Sequence, residues 1–290
     1  MWQWWRGSSR FASLARDPEL IVLELFHAAP SYYSMVARLA LTEAGLPFTS
    51  RLLDIHLAKQ QLSDAYRQLN PQMTVPTLRG PGLLLTDSST ILSYAAQQVG
   101  EGWLDGNPGL AGAIQQAVAG HYAIAIETLT FSKLLVTKPL MRAVVPKVLA
   151  GLSRGLEERA AHAADGGASL RAKAEQNRER LATFTTAPID ETLAAMRQQV
   201  RHYLNELPPV GAGAGLFGDR LSSADIVVAV LLGRLTMADE LALLERDDLR
   251  GWWQRFQQRP SFTAADIWTR FQRRRFLQSL LKARHTRIEP

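Results

Sequence analysis

The order of strand-like and helix-like segments constrains the fold of this chain more than any other feature. Apolar runs of strand length occur at 20–26, 48–54, 75–78 and 83–86, with helical patterns between and after them. Their order, β-α-β-α-β-β-α, indicates an α/β unit whose last two strands form a hairpin. After Gly100 the strand signals stop and apolar residues recur at helical spacing, so the sequence predicts a second, all-helical domain.

The predicted boundaries divide the 290 residues into five segments, and a chain of this length can build two cores. The segments are an N-terminal extension at 1–18, an α/β domain at 19–99, a linker at 100–108, a helical domain at 109–270 and a basic amphipathic tail at 271–290. The extension is aromatic, contains Arg and Ser, and has no acid before Asp17. That composition fits a surface-lying extension or an organelle-targeting peptide.

Charge and cysteine usage exclude several classes of function. Lys and Arg outnumber Asp and Glu by 33 to 27, and seven of the cations lie at 270–287, where there is no acid. The rest of the chain is close to balanced, so nucleic-acid binding is not predicted. The chain has no cysteine, which rules out disulfides, thiolate metal sites and an enzymic thiol. The six histidines show no metal-ligand spacing, so no metal is predicted.

Four short segments of the α/β unit carry the most specific information. They are Ser31–Leu41, which opens the first helix, Lys59–Pro71 around the second helix, Gln72–Leu78 with its Val-Pro step, and Leu85–Leu92, which opens the third helix. Together they resemble the serine turn, the glutamine-bearing helix, the cis-proline strand entry and the acid–serine turn of zeta-like glutathione transferases. The resemblance implies a thioredoxin-like N-terminal domain and an all-α C-terminal domain.

The resemblance continues into the helical domain and covers most of Leu20–Arg270. Ser222 and Asp225 form a predicted capping box at a helix start, as in the same family. The last helices resemble those of tetrachlorohydroquinone-dehalogenase-like transferases, and the long helical insert at 130–185 also resembles the ganglioside-induced differentiation-associated protein 1 group. The family implies glutathione as co-substrate, a cytoplasmic homodimer and a role in detoxification.

The residue that activates the thiol is predicted near the start of the first helix. A free thiol has a pKa of about 8.5, and a helix N-terminus with a hydroxyl donor favours the thiolate. The resemblance assigns the donor role to Ser31, which could instead be only an N-cap. Tyr32 and Tyr33 are the competing hydroxyls, although either ring could wall the acceptor pocket or pack against the second domain. Tyr33 stands where related dehalogenases carry a cysteine.

The strand entry is expected to bind the backbone of the tripeptide. The resemblance implies a cis peptide bond between Val75 and Pro76, which turns the Val75 backbone outward. Its N–H and C=O would then pair with the cysteinyl residue of glutathione like an added strand. The alternative is an ordinary proline at a strand edge.

The remaining predicted contacts hold the two ends of glutathione. Ser88, at the N-terminus of the third helix, would bind the γ-glutamyl carboxylate, and Asp87 its ammonium group. Both could instead be turn and capping residues. Gln60 and Gln72 are candidates for the remaining peptide and carboxylate groups.

The sequence therefore predicts a glutathione transferase that adds the glutathione thiolate to an electrophilic, partly apolar small molecule. Isomerisation and ether cleavage are the alternative reactions of the same thiolate. Since the chain has no cysteine, a mixed disulfide with the enzyme is excluded.

The rival prediction is a glutathione-transferase-like binding or membrane-associated protein with little or no turnover. Phe276, Leu277, Leu280 and Leu281 share one helical face of the basic tail, as in helices that lie on anionic lipid. The alternative is a C-terminal helix that packs on the body of the protein with a solvated basic face.

Overall fold

The computed structural model of the protein describes residues 23–289. The predicted N-terminal extension and the first residues of the predicted first strand lie outside this range. Four strands form one sheet: β1 (Leu23–His27), β2 (Phe48–Leu52), β3 (Thr77–Gly80) and β4 (Leu83–Leu85). The strand order is β2-β1-β3-β4, with β1 parallel to β2 and antiparallel to β3, and β3 antiparallel to β4. This is the predicted thioredoxin-like topology.

Three helices accompany the sheet, and nine follow it within the described range. The first three are α1 (Tyr32–Glu43), α2 (Asp64–Leu69) and α3 (Ser88–Val99). The others are α4 (Ala111–Ala123), α5 (Ile126–Thr137), α6 (Pro139–Ala161), α7 (Ala168–Thr185), α8 (Ile189–Glu206), α9 (Ser223–Met237), α10 (Asp247–Phe256), α11 (Pro260–Ala264) and α12 (Arg273–Ala283). No strand follows β4 among residues 23–289, so the predicted change from α/β to all-helical structure is confirmed.

Helix α9 is the centre of the helical domain and also contacts the thioredoxin-like domain. Residues from Ser223 to Leu235 are all buried, as expected for a helix that is apolar on every side. It packs against α1 and α3 of the first domain and α4 of its own. Its predicted capping box is present: the Asp225 carboxylate accepts from the Ser222 backbone N–H and hydroxyl, each at 2.7 Å.

Helices α6 and α7 pack along each other and return to the thioredoxin-like domain. The guanidinium of Arg159, near the end of α6, donates to the Leu62 carbonyl at 2.7 Å and pairs with Asp64 at 2.9 Å. Beside these polar contacts, Leu62 shares an apolar cluster with Leu156 and Leu170. The two helices therefore form a wall that faces the region between β2 and α2.

The C-terminal tail packs on the body through part of its apolar face. In α12, Leu280 is 7% exposed and Ala283 is fully buried, while Leu277 and Leu281 are 57% and 55% exposed. The face predicted from the sequence is thus divided between the body and solvent. Within the described part of the chain, no helix is long and apolar enough to cross a membrane.

Candidate functional site

The predicted glutathione-binding segments meet at one edge of the sheet. Ser31 follows the end of β1, and the Val75–Pro76 step precedes β3. Phe26 pairs with Thr77 in the antiparallel β1–β3 ladder, so these two segments leave the sheet at the same edge. The hairpin returns β4 to that edge, where Ser88 begins α3. The sequence segments identified separately are therefore neighbours in the fold.

Ser31 is the N-cap of α1 and also faces a cavity between the domains. Its hydroxyl oxygen accepts from the Ser34 backbone N–H at 3.4 Å, which is longer than the usual hydrogen bond. That bond uses a lone pair of the oxygen, so the hydroxyl hydrogen remains available to a ligand. The capping role and the donor role of Ser31 are compatible.

Tyr32 and Tyr33 both point toward the helical domain. The Tyr32 hydroxyl lies 3.5 Å from His121 Nε2, and the two rings stack with centroids 5.7 Å apart. The Tyr33 ring stacks on Tyr122 of α4 at 6.2 Å. Burial holds the pKa of Tyr32 well above its ordinary value and raises the pKa of Tyr33, so both remain phenols at neutral pH. Burial also lowers the pKa of His121 to about 3, so its imidazole stays neutral.

The Val75–Pro76 peptide bond is cis, as the resemblance implies. Two side chains that the sequence did not single out hold the loop before it. Asn70 Nδ2 donates to the Thr74 carbonyl at 3.0 Å and to the Thr86 carbonyl at 3.1 Å. The Tyr66 hydroxyl donates to the same Thr74 carbonyl at 2.7 Å. Asn70 thereby ties the strand entry to the turn that precedes α3.

Asp87 and Ser88 are both engaged within the protein. The Asp87 carboxylate is the N-cap of α3 and accepts from the backbone N–H groups and hydroxyls of Ser89 and Thr90. These bonds lower the pKa of Asp87, against the effect of its burial. Ser88 is 4% exposed, and its Oγ lies 3.0 Å from the Tyr122 hydroxyl. Asp87 therefore caps α3, and Ser88 bridges to the helical domain.

Gln60 and Gln72 lie apart from the cavity that Ser31 faces. Gln60 Oε1 accepts from the Asp54 backbone N–H at 2.7 Å, and its Nε2 donates to the Ala283 carbonyl at 3.1 Å. Its amide therefore links the loop after β2 to α12. Gln72 is exposed, and its backbone N–H donates to Asn70 Oδ1 at 3.0 Å.

A cavity of about 410 Å³ lies between the thioredoxin-like domain and the α5–α7 helices. Its wall includes Ser31 and the competing residue Tyr32, whereas the other predicted site residues do not line it: Tyr33, Gln60, Gln72, Val75, Pro76, Asp87 and Ser88. Most of the helical side of the cavity is apolar: Phe131, Met141, Val144, Val145, Val148, Leu149 and Leu152. Charged or titratable side chains also line the cavity: Tyr32, His56, Lys59, Glu127, Lys173, Arg180 and Arg234. The cavity can hold a molecule with both apolar and anionic parts.

Arg234 of α9 is the functional candidate that the sequence reasoning missed. It is 8% exposed, and its Nη2 donates to the Pro30 carbonyl, next to Ser31, at 2.8 Å. Its guanidinium carbon lies 5.4 Å from the centre of the Tyr32 ring. Nε is buried and has no partner within residues 23–289, and burial lowers the pKa of the guanidinium. An incompletely paired cation beside Ser31 favours an anionic ligand.

Comparison with known proteins finds a family match for the thioredoxin-like part of the chain and a relative that spans most of it. Residues 25–103 match the family described as glutathione S-transferase, N-terminal domain. The tetrachloro-p-hydroquinone reductive dehalogenase of Sphingobium chlorophenolicum is 26% identical over 254 residues, which are 84% of this chain and 96% of the dehalogenase.

Solved structures support the same architecture. Glutathione transferase F7 from Populus trichocarpa matches with a TM-score of 0.58 at 19% identity, over 86% of this chain and 100% of that one. Human glutathione S-transferase T1-1 matches with a TM-score of 0.55 at 21% identity, over 92% of this chain and 93% of that one. At these identities the likeness shows the fold: a thioredoxin-like domain followed by an all-helical domain.

Proposed function

We propose that the protein is a glutathione transferase, because residues 25–103 match the glutathione S-transferase N-terminal domain and an all-helical domain follows them. It adds the glutathione thiolate to an electrophilic, partly apolar small molecule, or uses that thiolate for isomerisation or ether cleavage. The observation that carries this proposal is the shared cavity. Ser31 and Arg234 line it together, opposite an apolar wall that suits an acceptor.

Glutathione lies along the sheet edge with its sulfur at the N-terminus of α1. The Val75 backbone pairs with the cysteinyl residue, and the γ-glutamyl end points toward α3. If the Tyr122 hydroxyl donates to Ser88 Oγ, the Ser88 hydrogen is free for the γ-glutamyl carboxylate. Asp87 Oδ2 accepts only the Thr90 hydroxyl among the described side-chain donors, so it has room for the ammonium group.

The thiolate is stabilised by three groups at the start of α1. The Ser31 hydroxyl donates to the sulfur, the N-terminus of α1 contributes its partial positive charge, and Arg234 adds a full charge nearby. The ionised sulfur attacks the electrophilic carbon, a carbon–sulfur bond forms, and the leaving group departs with its electron pair. The chain has no cysteine, so this chemistry uses only the ligand's thiol.

The homodimer and the role in detoxification are part of the same proposal. Both are proposed because they are usual among glutathione transferases. The curated relative is named a reductive dehalogenase. We do not extend that reaction through an enzymic thiol to a chain without cysteine.

Replacing Arg234 with methionine tests the proposed thiolate site. We expect the pH profile of kcat/KM with the neutral electrophile 1-chloro-2,4-dinitrobenzene to move upward by about one pH unit, because the lost charge stabilised the thiolate by about 1.4 kcal/mol. Steady-state kinetics from about pH 5 to about pH 9 measure this shift, because that range includes the ionisation of the glutathione thiol.

Two further variants are controls for the Arg234→Met measurement. Arg234→Lys keeps the charge and is expected to restore much of the original profile. Arg154→Met removes an exposed guanidinium of α6 and is expected to leave the profile unchanged. An unshifted profile in Arg234→Met, with the protein folded, would show that Arg234 does not act on the sulfur. Absence of glutathione-dependent turnover in the wild type would contradict the transferase proposal itself.

A second candidate function is favoured by the outer face of α12. The exposed Leu277 and Leu281 lie on the helix among Arg273, Arg274 and Lys282, and there is no acid at 270–288. Apolar side chains ringed by cations are typical of helices that lie on anionic lipid. In this alternative the protein is a glutathione-transferase-like scaffold at a membrane surface with little turnover.

Vesicle flotation tests the membrane alternative. If α12 binds lipid, the wild type floats with vesicles that contain phosphatidylserine and the Leu277→Ser/Leu281→Ser variant stays in the soluble fraction. Both proteins stay soluble with vesicles of phosphatidylcholine alone, because the electrostatic attraction is missing. Equal soluble fractions of the wild type and the double variant with both vesicle types would contradict the alternative.

A further inference from the structure

Helix α7 presents a polar stripe to the cavity that contains Ser31. Lys173, Asn177 and Arg180 are spaced by four and three residues, so they lie on one face of the helix, and all three line the cavity. Asn177 is 6% exposed, an unusual position for an amide unless it serves a ligand or the core. The neighbouring α6 wall is apolar, with Val144, Val148 and other aliphatic side chains. The stripe is therefore polar and cationic inside an otherwise apolar half of the cavity.

The two cations of the stripe differ in how their charges are balanced. Arg180 pairs with Glu127 of α5 at 2.7 Å. Lys173 pairs with no carboxylate within residues 23–289, and its ammonium donates to the Gln176 side-chain carbonyl at 2.7 Å. Burial and the nearby Arg180 lower the pKa of Lys173 to about 8, and Glu127 acts in the opposite direction without forming an ion pair with it. A partly buried ammonium that lacks a direct ion pair is stabilised when an anion enters the cavity.

We propose that Lys173 and Asn177 bind an anionic group of the acceptor. The acceptor class is then an organic anion: an electrophilic, apolar or aromatic body that fits the α6 wall and carries a carboxylate held by α7. The inference rests on the proposed function, because that function makes this half of the cavity the acceptor site. The inference specifies that the acceptor carries a negative charge, a property that neither the fold nor the relatives specify.

Aryl chlorides provide a matched pair of acceptors for the test. In 4-chloro-3,5-dinitrobenzoate, the glutathione thiolate attacks the carbon that bears chlorine, a carbon–sulfur bond forms, and chloride leaves with the bonding electrons. The carboxylate does not react and is free to bind Lys173. The methyl ester of the same compound has the same reacting carbon and no charge, so it measures the reaction without the anion contact.

The Lys173→Met variant should separate the two acceptors. We expect the KM for the acid to rise by about tenfold, the scale of one partly desolvated charged contact, while the KM for the ester stays within about twofold. The KM for glutathione is expected to stay unchanged. Lys147→Met, which removes an exposed lysine of α6 outside the cavity, is the matched control and should change none of these constants.

The pH dependence gives an independent readout. The Lys173 ammonium is charged below its pKa of about 8, so the preference for the acid over the ester should decline as the pH rises through 8 and be flat in Lys173→Met. Ionisation of the glutathione thiol affects both acceptors and cancels in their ratio. The other charged or titratable groups that line the cavity come from α1, the β2–α2 segment, α5, α7 and α9: Tyr32, His56, Lys59, Glu127, Arg180 and Arg234.

Calorimetry with unreactive analogues makes the inference independent of turnover. We expect 3,5-dinitrobenzoate to bind the wild type more tightly than its methyl ester does, and Lys173→Met to abolish the difference. Such binding without turnover would support the anion site and contradict the transferase proposal. Equal binding and equal KM of acid and ester, or an effect of Lys173→Met on glutathione in place of the acid, would overturn the inference.

Discussion

Replacing Ser31 with alanine is expected to lower kcat by about 100-fold, because one preorganised donor to a developing or bound anion is typically worth that much. The hydroxyl is the donor that faces the cavity at the start of α1, next to Pro30 and Arg234. The KM for glutathione should change little, since the peptide contacts proposed for Val75 and Ser88 do not involve the Ser31 side chain. Steady-state kinetics with a neutral aryl chloride measure both constants.

The two tyrosines provide the controls for this result. The Tyr32 hydroxyl points to His121 and the Tyr33 ring stacks on Tyr122, so Tyr32→Phe and Tyr33→Phe are each expected to change kcat by less than about fivefold, a small effect on the scale of catalytic donors. Ser31→Thr keeps the hydroxyl and should retain more activity than Ser31→Ala. Full activity in Ser31→Ala together with a large loss in Tyr33→Phe would transfer the donor role to the phenol.

Stability measurements show whether the loss is catalytic. The capping bond of Ser31 is 3.4 Å long, so its removal is expected to cost about 1 kcal/mol of unfolding free energy at most. A Ser31→Ala protein that unfolds near the wild-type urea midpoint and still binds glutathione therefore reports on the chemistry. A large shift of that midpoint would mean that the lost activity reflects unfolding.

Replacing Arg38 with methionine is expected to lower the free energy of unfolding by about 3 kcal/mol, because buried carbonyls lose their donor. Arg38 of α1 is 4% exposed. Its guanidinium donates to the Ala265 carbonyl at 2.7 Å and to the Asp266 carbonyl at 2.9 Å, on the segment between α11 and α12. It also donates to the Ala29 carbonyl at 3.1 Å, so it joins the loop before Ser31 to the C-terminal segment.

Urea unfolding of Arg38→Met and of two controls measures this effect. Arg38→Lys keeps a charge but lacks the planar fork, so it is expected to recover only part of the lost stability. Arg154→Met removes an exposed arginine and should leave the midpoint unchanged. Burial, aided by repulsion from Arg275, lowers the pKa of Arg38 to about 9. A midpoint for Arg38→Met equal to that of the wild type would show that the carbonyls find other partners.

Local chemistry explains why part of the site could be predicted from the sequence. N-cap residues act on their nearest neighbours, so the start of α1 at Ser31 and the capping box at Ser222 are predicted at the residues where they occur. The order of strands and helices followed from apolar periodicity for the same reason. The cis bond between Val75 and Pro76 is implied by the family resemblance and is confirmed.

The rest of the site depends on contacts between distant segments. The contacts of Gln60, a predicted glutathione-binding residue, could not be predicted: its amide links Asp54 to Ala283, more than 200 residues away along the chain. Arg234 follows the apolar run 226–233 in the sequence, and nothing in that local pattern indicates a functional role. Its place beside Ser31 arises from the packing of α9 against α1, which no local pattern encodes.

Sequence patterns do not predict the half of the cavity that is lined by α6 and α7 and is proposed to bind the acceptor. The stripe of Lys173 and Asn177 is visible as helical spacing in α7, but such a stripe is more often a solvated face. In the structure, α6 and α7 pack against Leu62. This packing places Lys173 and Ser31 in the wall of one cavity.

Ultraviolet titration of bound glutathione tests the central claim most directly. Thiolates absorb where thiols do not, so difference spectra of the protein at saturating glutathione report the ionisation of the bound sulfur. If Ser31, the N-terminus of α1 and Arg234 stabilise the thiolate, the titration midpoint of the bound thiol lies at least about one pH unit below the pKa of about 8.5 of a free thiol. A midpoint equal to that of free glutathione, or no thiolate signal from the bound ligand, would contradict the account.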